Sequence, residues 1–191
     1  MKALILNGSP EPNPTADAVR DILLDELRTY GLETREFVLR DEKIAYCTGC
    51  FGCWIKTPGE CVIDDAGREV TKAIMESDLV VYLTPVTFGG YSSELKKALD
   101  RMIPMLSPFF TKIGGEIHHQ ERYDRYPGMM AVGILAEPND ESARLFETLH
   151  SRNAINGNAP GSAAGTVVAG CEVDDIRTVV EALFSKTGVA Q

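Results

Sequence analysis

Positive charge is what this chain is short of. It carries 19 Lys and Arg against 28 Asp and Glu, a net charge of −9. Such a chain repels phosphates at long range, which excludes non-specific binding to nucleic acid or to an anionic membrane surface. Any anion site must then be local, built from backbone N–H groups and hydroxyls. No apolar run is long enough to span a bilayer. The stretch between Met1 and Gly8 is too short for a secretory signal. The expectation is a cytoplasmic protein. Neither a Gly-x-x-x-x-Gly-Lys-Ser/Thr loop nor a Gly-x-Gly-x-x-Gly fingerprint occurs, which sets aside the two commonest nucleotide-binding signatures. Cysteine is scarce outside one place: of five, Cys47, Cys50, Cys53 and Cys61 fall within fifteen residues. An odd count in such a cluster does not suggest a disulfide framework. Cys171 reads as a small buried hydrophobe.

What is present is an alternation of strand and helix patterns along 191 residues, read as one domain over 1–191. Residues 2–7 read as a buried strand, and a helix runs from Thr15 to Tyr30 with Val19, Ile22, Leu23 and Leu27 on one face. Thr34 to Leu39 is a second strand. A cysteine-rich segment, 44–63, has no period. A helix follows from Asp64-Asp65 to about Ser77, then a fully apolar strand, Leu79 to Leu83. The next helix aligns Leu95, Ala98, Leu99, Met102 and Ile103 and stops at Pro104. Residues 107–127 read as an irregular excursion, a lid or an arm reaching a second subunit, with His118 and His119 packing there rather than binding metal. Met129 to Leu135 is a fourth strand, Glu141 to Arg152 a helix, Thr166 to Ala169 a fifth strand. The last helix turns Ile176, Val179, Val180, Leu183 and Phe184 inward. Five alternations require an α/β fold: a five-stranded parallel sheet with helices on both faces, a three-layer sandwich in the flavodoxin-like order 2-1-3-4-5.

The first strand ends in Gly8-Ser9-Pro10-Glu11-Pro12-Asn13-Pro14-Thr15. A strand, a tight turn and a helix N-terminus make a phosphate cradle. Three prolines remove their own donors and stiffen the loop. Donors remain at Ser9, Glu11, Asn13, Thr15 and Ala16, with hydroxyls at Ser9 and Thr15. Asn13 followed by Pro14 reads as an N-cap and first helical position. A second loop, Pro85-Val86-Thr87-Phe88-Gly89, follows the all-apolar strand and offers backbone groups, apolar side chains and close approach.

Asn7-Gly8-Ser9-Pro10 with Asn13 and Thr15, then Thr84 to Gly90 with Leu95-Lys96 and Asp100-Arg101, and then the cysteine run itself, resemble the flavodoxin-like NAD(P)H-dependent FMN reductases and their relatives the iron–sulfur flavoproteins. The resemblance spans residues 2–137. It implies FMN, with its phosphate on the first loop and its ring beside the second, and NAD(P)H as electron donor. It further implies an acceptor that is a quinone, a flavin or an iron–sulfur centre, and a homodimer or homotetramer. Many relatives carry arginine where this chain has Glu11, so the Glu11 carboxylate is expected to face solvent and only its N–H to serve the site. A flavodoxin-like electron carrier with a ferredoxin-type partner is the alternative.

Cys47-x2-Cys50-x2-Cys53-x7-Cys61 is compact, as iron–sulfur ligands are, whereas zinc ligands more often split into distant pairs. The iron–sulfur flavoproteins hold a [4Fe–4S] cluster on a similar run, usually with a shorter last spacing. A cluster, free thiols, and zinc or a redox disulfide all remain open on the spacing.

Overall fold

In a computed structural model the described residues are 1–187. The central sheet contains β1 (Lys2–Asn7), β2 (Glu33–Val38), β3 (Leu79–Pro85), β6 (Gly128–Leu135) and β7 (Ser162–Val168), all parallel, in the order β2-β1-β3-β6-β7. Counted within the sheet alone, this is the expected 2-1-3-4-5. The inner strands are apolar on both faces because both are covered. All eight residues of β6 and the first six of β3 are buried.

One face is closed by α1 (Pro14–Thr29) and α6 (Val173–Thr187). There Val19, Leu23 and Leu27 meet Ile5, Val81, Val132, Ile176, Val180 and Phe184. Half-buried Cys171 packs against this core. The other face is closed by α3 (Ala66–Met75), α4 (Ser93–Leu99) and α5 (Asp140–Asn156), which bring Val70, Ile74, Leu95, Ala98 and Phe146 onto Leu4, Leu6, Val80 and Tyr82. Adjacent strand residues thus serve opposite cores, as the two-residue pleat requires. Among the described residues no helix is long and apolar enough to cross a membrane.

Several boundaries differ from the sequence reading. Residues 107–127 are not irregular: β4 (Leu106–Ile113) and β5 (Glu116–Glu121) form an antiparallel hairpin closed by Gly114-Gly115, both at positive φ. A two-glycine turn is a hairpin signal, but the strands have no buried face to give an apolar alternation. β7 starts four residues early. Its opening Ser-Ala-Ala-Gly carries little strand propensity, and the helix packs close to it, since a Cβ on Gly165 would lie 3.3 Å from Val179. α5 is longer at both ends. The helix after Ser92 changes at Asp100 into a 3-10 turn, Asp100–Met105, carrying Pro104. The cysteine segment contains one short helix, α2 (Gly52–Ile55).

His150 is buried between α5 and the sheet. Its Nδ1 lies 3.2 Å from the Tyr91 hydroxyl, and its Nε2 lies 3.3 Å from the Met129 carbonyl. With the proton on Nε2, the ring donates to Met129 and accepts from Tyr91. Burial lowers its pKa from 6.5 to about 4. The unfolded chain takes up a proton near pH 6.5 and the folded one only near 4, so His150 favours folding fully above 6.5 and loses that contribution as pH falls to 4. The difference is worth roughly 3 kcal/mol. Urea midpoints measured from pH 7 to 4 should fall, and His150→Gln should remove most of that slope.

Candidate functional site

The carboxyl edge of a parallel sheet leaves a crevice where neighbouring loops turn to opposite faces. Here the loops after β1 and β3 meet. Gly8 N–H donates to the Leu83 carbonyl at 2.8 Å, and Ser92 Oγ donates to the Gly8 carbonyl at 2.5 Å. A Cβ on Gly8 would lie 2.7 Å from Leu95 Cβ and 2.9 Å from Ser92 Oγ, so the loop can sit this close to α4 only with glycine there.

Asn13 caps α1, its Oδ1 accepting from the Ala16 N–H at 3.1 Å, with Pro14 first in the helix. Asn7 Oδ1 takes the Ser9 N–H in the same way, at 3.1 Å. Two of the five expected backbone donors, Ser9 and Ala16, are therefore already engaged. Glu11, Asn13 and Thr15 keep theirs, among the described residues. Thr15 Oγ1 accepts from Gly170 N–H at 3.0 Å and retains its own proton to donate. Ser9 is 1% exposed, and its Oγ is buried without a partner. A buried hydroxyl left unpaired costs about 1–3 kcal/mol, which an anion accepting its proton would recover. Glu11 is exposed. The loop also has a neighbouring cation: Arg40, in the 3-10 turn after β2, brings Nη1 to 3.4 Å from the Ser9 carbonyl.

After β3 the chain makes a tight turn. Thr87 and Gly90 exchange both backbone hydrogen bonds at 2.9 Å, with Phe88 at φ 50° and Gly89 at φ 71°. Two positive φ angles in the centre define a type I′ turn. Gly89 suits this position by its positive φ, and a Cβ there would also push aside Leu145, whose Cδ2 lies 2.3 Å from where it would sit. Phe88 holds a left-handed conformation with its side chain fully exposed. Val86 N–H is spent on the Ile134 carbonyl at 2.8 Å. Among the described residues, Phe88 and Gly89 N–H remain free on this edge.

All four clustered cysteines line one cavity of about 290 Å³, together with Phe51, Ile63, Asp100 and Arg101. Cys47 and Cys50 are exposed, Cys61 is half-buried and Cys53 is buried. Burial first, and then the charge of Cys61 and of the other two, raises the Cys53 thiol. The Gly52 N–H, followed by the Thr48 hydroxyl, lowers Cys50. Among the described residues no three His, Cys, Asp or Glu side chains converge as a single metal ion requires. A zinc ion needs its thiolates about 2.3 Å from one centre, whereas a cube of four irons holds its four thiolates much further apart. Four thiols lining one cavity are the kind of donor set that an iron–sulfur cluster uses.

Comparison with known proteins agrees with this geometry. Residues 1–135 match the family described as NADPH-dependent FMN reductase. The chain belongs to that family. An iron-sulfur flavoprotein of Methanocaldococcus jannaschii is 29% identical over 185 residues, covering 92% of this chain and 89% of its own. One from Archaeoglobus fulgidus is 38% identical over 104 residues, covering 54% of this chain and 46% of its own. Among solved structures, an FMN-dependent NADH-azoreductase from Bacillus anthracis in complex with FMN superimposes with a TM-score of 0.69 over 100% of both chains at 13% identity. An NAD(P)H:quinone oxidoreductase from Methanothermobacter marburgensis gives 0.71 over 96% of each at 12% identity.

By family the chain is an NAD(P)H-dependent FMN oxidoreductase. Of the residues singled out in the sequence, the structure brings those from Ser9 to Ala16 together on one loop and those from Pro85 to Gly89 on the next. It gathers the four cysteines around one cavity. Arg40 was missed. Its signal was topological: β2 lies beside β1, so a side chain two residues past β2 falls next to the β1 loop. His118 and His119 serve packing within the chain. His118 bonds Asn156 and Glu116, and His119 lies between Trp54 and Phe110.

The strain at Phe88 has a measurable consequence. Asn-Gly is the preferred pair at the centre of a type I′ turn, and a non-glycine residue held left-handed costs on the order of 1 kcal/mol. Phe88→Asn loses no buried contact and should raise stability by about 0.5–1 kcal/mol. A urea midpoint that stays level or drops would show position 88 to be unstrained.

Proposed function

We propose that this flavoenzyme takes hydride from a reduced nicotinamide onto FMN and delivers electrons to a quinone or a free flavin. Bound FMN supplies the hydride chemistry, and the protein supplies binding, orientation and electrostatics. The observation that carries the reading is the buried, unpartnered Ser9 hydroxyl beside three free N–H groups. In this reading the FMN phosphate rests on the N–H groups of Glu11, Asn13 and Thr15 and on the hydroxyls of Ser9 and Thr15. Helix α1 adds its positive N-terminal end, with Ala16 closing the first turn. Arg40 contributes the positive charge that the loop itself lacks. The ring lies along Pro85, Val86, Thr87, Phe88 and Gly89, with Phe88 and Gly89 N–H available to its pyrimidine edge.

The four cysteines, Cys47, Cys50, Cys53 and Cys61, would hold a [4Fe–4S] cluster, which supplies one-electron transfer. Their common cavity supports this, as do the names of the relatives that match along most of the chain. Exposed Phe109, Phe110, Ile113 and Ile117 on the hairpin suit a homodimer or homotetramer.

Anaerobic purification with a visible spectrum and counts of FMN and iron tests the cofactors. NAD(P)H oxidation with a quinone tests the activity. FMN with rapid turnover is expected. Reduction only through a ferredoxin would make the chain an electron carrier instead, and colourless protein that takes up no FMN would sink both readings. Arg40→Ala should weaken FMN binding about five- to tenfold, a half-exposed charge being partly screened. That loss should shrink as salt is raised.

A further inference from the structure

Arg101 is the largest fully buried side chain among the described residues. It lies on the 3-10 turn after α4, and its guanidinium has five N–H groups in a planar fork. Four are spoken for. Nη1 donates to the Ala45 carbonyl at 2.8 Å and to Asp65 Oδ2 at 2.9 Å. Nη2 donates to the Ile63 carbonyl at 3.1 Å and to Asp65 Oδ1 at 2.9 Å. The fifth, on Nε, is buried and has no partner. A native fold rarely leaves a buried charged group one bond short without a reason.

The surroundings point to the reason. Arg101 forms part of the wall of the cavity that the four cysteines line. Cys61 lines the same cavity, and its backbone is fixed by Arg68, whose Nε donates to the Cys61 carbonyl at 2.7 Å while Nη1 pairs with Glu60 and Asp64. Burial opposes the charge on Arg101, and the groups that favour that charge are Asp65 and then Cys61. The Asp65 pairing is bidentate, so the fork cannot swivel. It fixes where Nε points.

We propose that the Nε–H of Arg101 donates to the Cys61 sulfur of a cluster bound at the four cysteines and raises that cluster's reduction potential. This rests on the cluster reading given above. With four thiolates a [4Fe–4S] core carries net negative charge, and one added electron increases it. A donor aimed at a ligand sulfur stabilises the reduced state more than the oxidised one, and such hydrogen bonds are among the levers that set cluster potentials. Arg101 is thus a positioning residue. It acts through Cys61.

The test is a redox titration of the iron-reconstituted full chain, followed by electron paramagnetic resonance. Arg101→Lys keeps the charge beside Asp65 and loses the Nε–H. Iron and FMN content should be unchanged, while the reduction equilibrium falls about tenfold, ~59 mV for a one-electron couple. A purely structural arginine would leave the potential of the iron-loaded fraction alone, whatever its effect on folding. An unchanged midpoint in that fraction overturns the inference. Should the variant not fold, the parent decides: with 15N-arginine the reduced cluster should show a 15N hyperfine coupling, and its absence overturns the inference equally. A reconstituted parent that holds no iron would overturn the cluster reading, and this inference with it. The iron count keeps the two failures apart.

Discussion

The Ser92 hydroxyl donates to the Gly8 carbonyl, caps α4 by accepting from Leu95 N–H at 3.2 Å, and sits on a residue whose own N–H is held by Thr84 Oγ1 at 3.0 Å. One side chain thereby joins the loop after β1, the end of β3 and the start of α4. Everything in the crevice depends on that closure. It is buried, so its bonds have no water to compete with them. It requires glycine at position 8, because any Cβ would displace either Leu95 or Ser92 itself. A phosphate cradle can be rigid only if its loop is anchored at both ends. Asn13 provides the second anchor, at the helix cap.

Between those anchors the polar groups divide sharply into used and unused. Asn7 and Asn13 engage the Ser9 and Ala16 N–H groups, three prolines have none to give, and those of Glu11, Asn13 and Thr15 have no partner among the described residues. Such division is how a loop can be preorganised for an anion without a basic residue of its own. Arg40 then supplies charge from outside the loop, partly screened and only at one side. The overall acidity is not in conflict with this site, since a Debye length of about 8 Å hides most of the net charge from a group held by direct contacts.

The sheet order and helix faces were legible because β1, β3 and β6 are apolar on both sides and the helices carry clear stripes. Asn13-Pro14 marked the start of α1 to the residue. What was not legible shares a cause. The hairpin, the first half of β7 and the engagement of Ser9 and Ala16 N–H are decided by neighbours distant in the chain or by side chains bonding their own backbone. Neither leaves a periodic trace. Polar strands such as Thr111-Lys112 opposite His118-Ile117 look like a loop until their partner is known. Arg101 is a further case, since it stands with Asp100 in the second block of the resemblance but only the fold shows it to be buried.

The hairpin and the cysteine segment are best understood as one addition to the α/β scaffold. Neither has a core of its own. Phe51 stacks on Trp54 at 5.0 Å, Trp54 meets His119 at 5.0 Å, and His119 meets Phe110 at 4.7 Å, a continuous column from one segment to the other. Trp54 Nε1 shares the carbonyls of Ile103 and Leu106, while Tyr126 Oη donates to the Met105 carbonyl and accepts from Arg122 N–H. All of these attach to the turn that carries Arg101. The turn therefore receives the hairpin from one side and fixes Ala45, Ile63 and Asp65 on the other. A pocket built from an otherwise aperiodic segment needs such external supports, because short loops cannot pay their own ordering entropy. The interrupted helix after Leu99 follows from this, since a straight continuation would carry Arg101 and the Ile103 carbonyl away from both sets of partners.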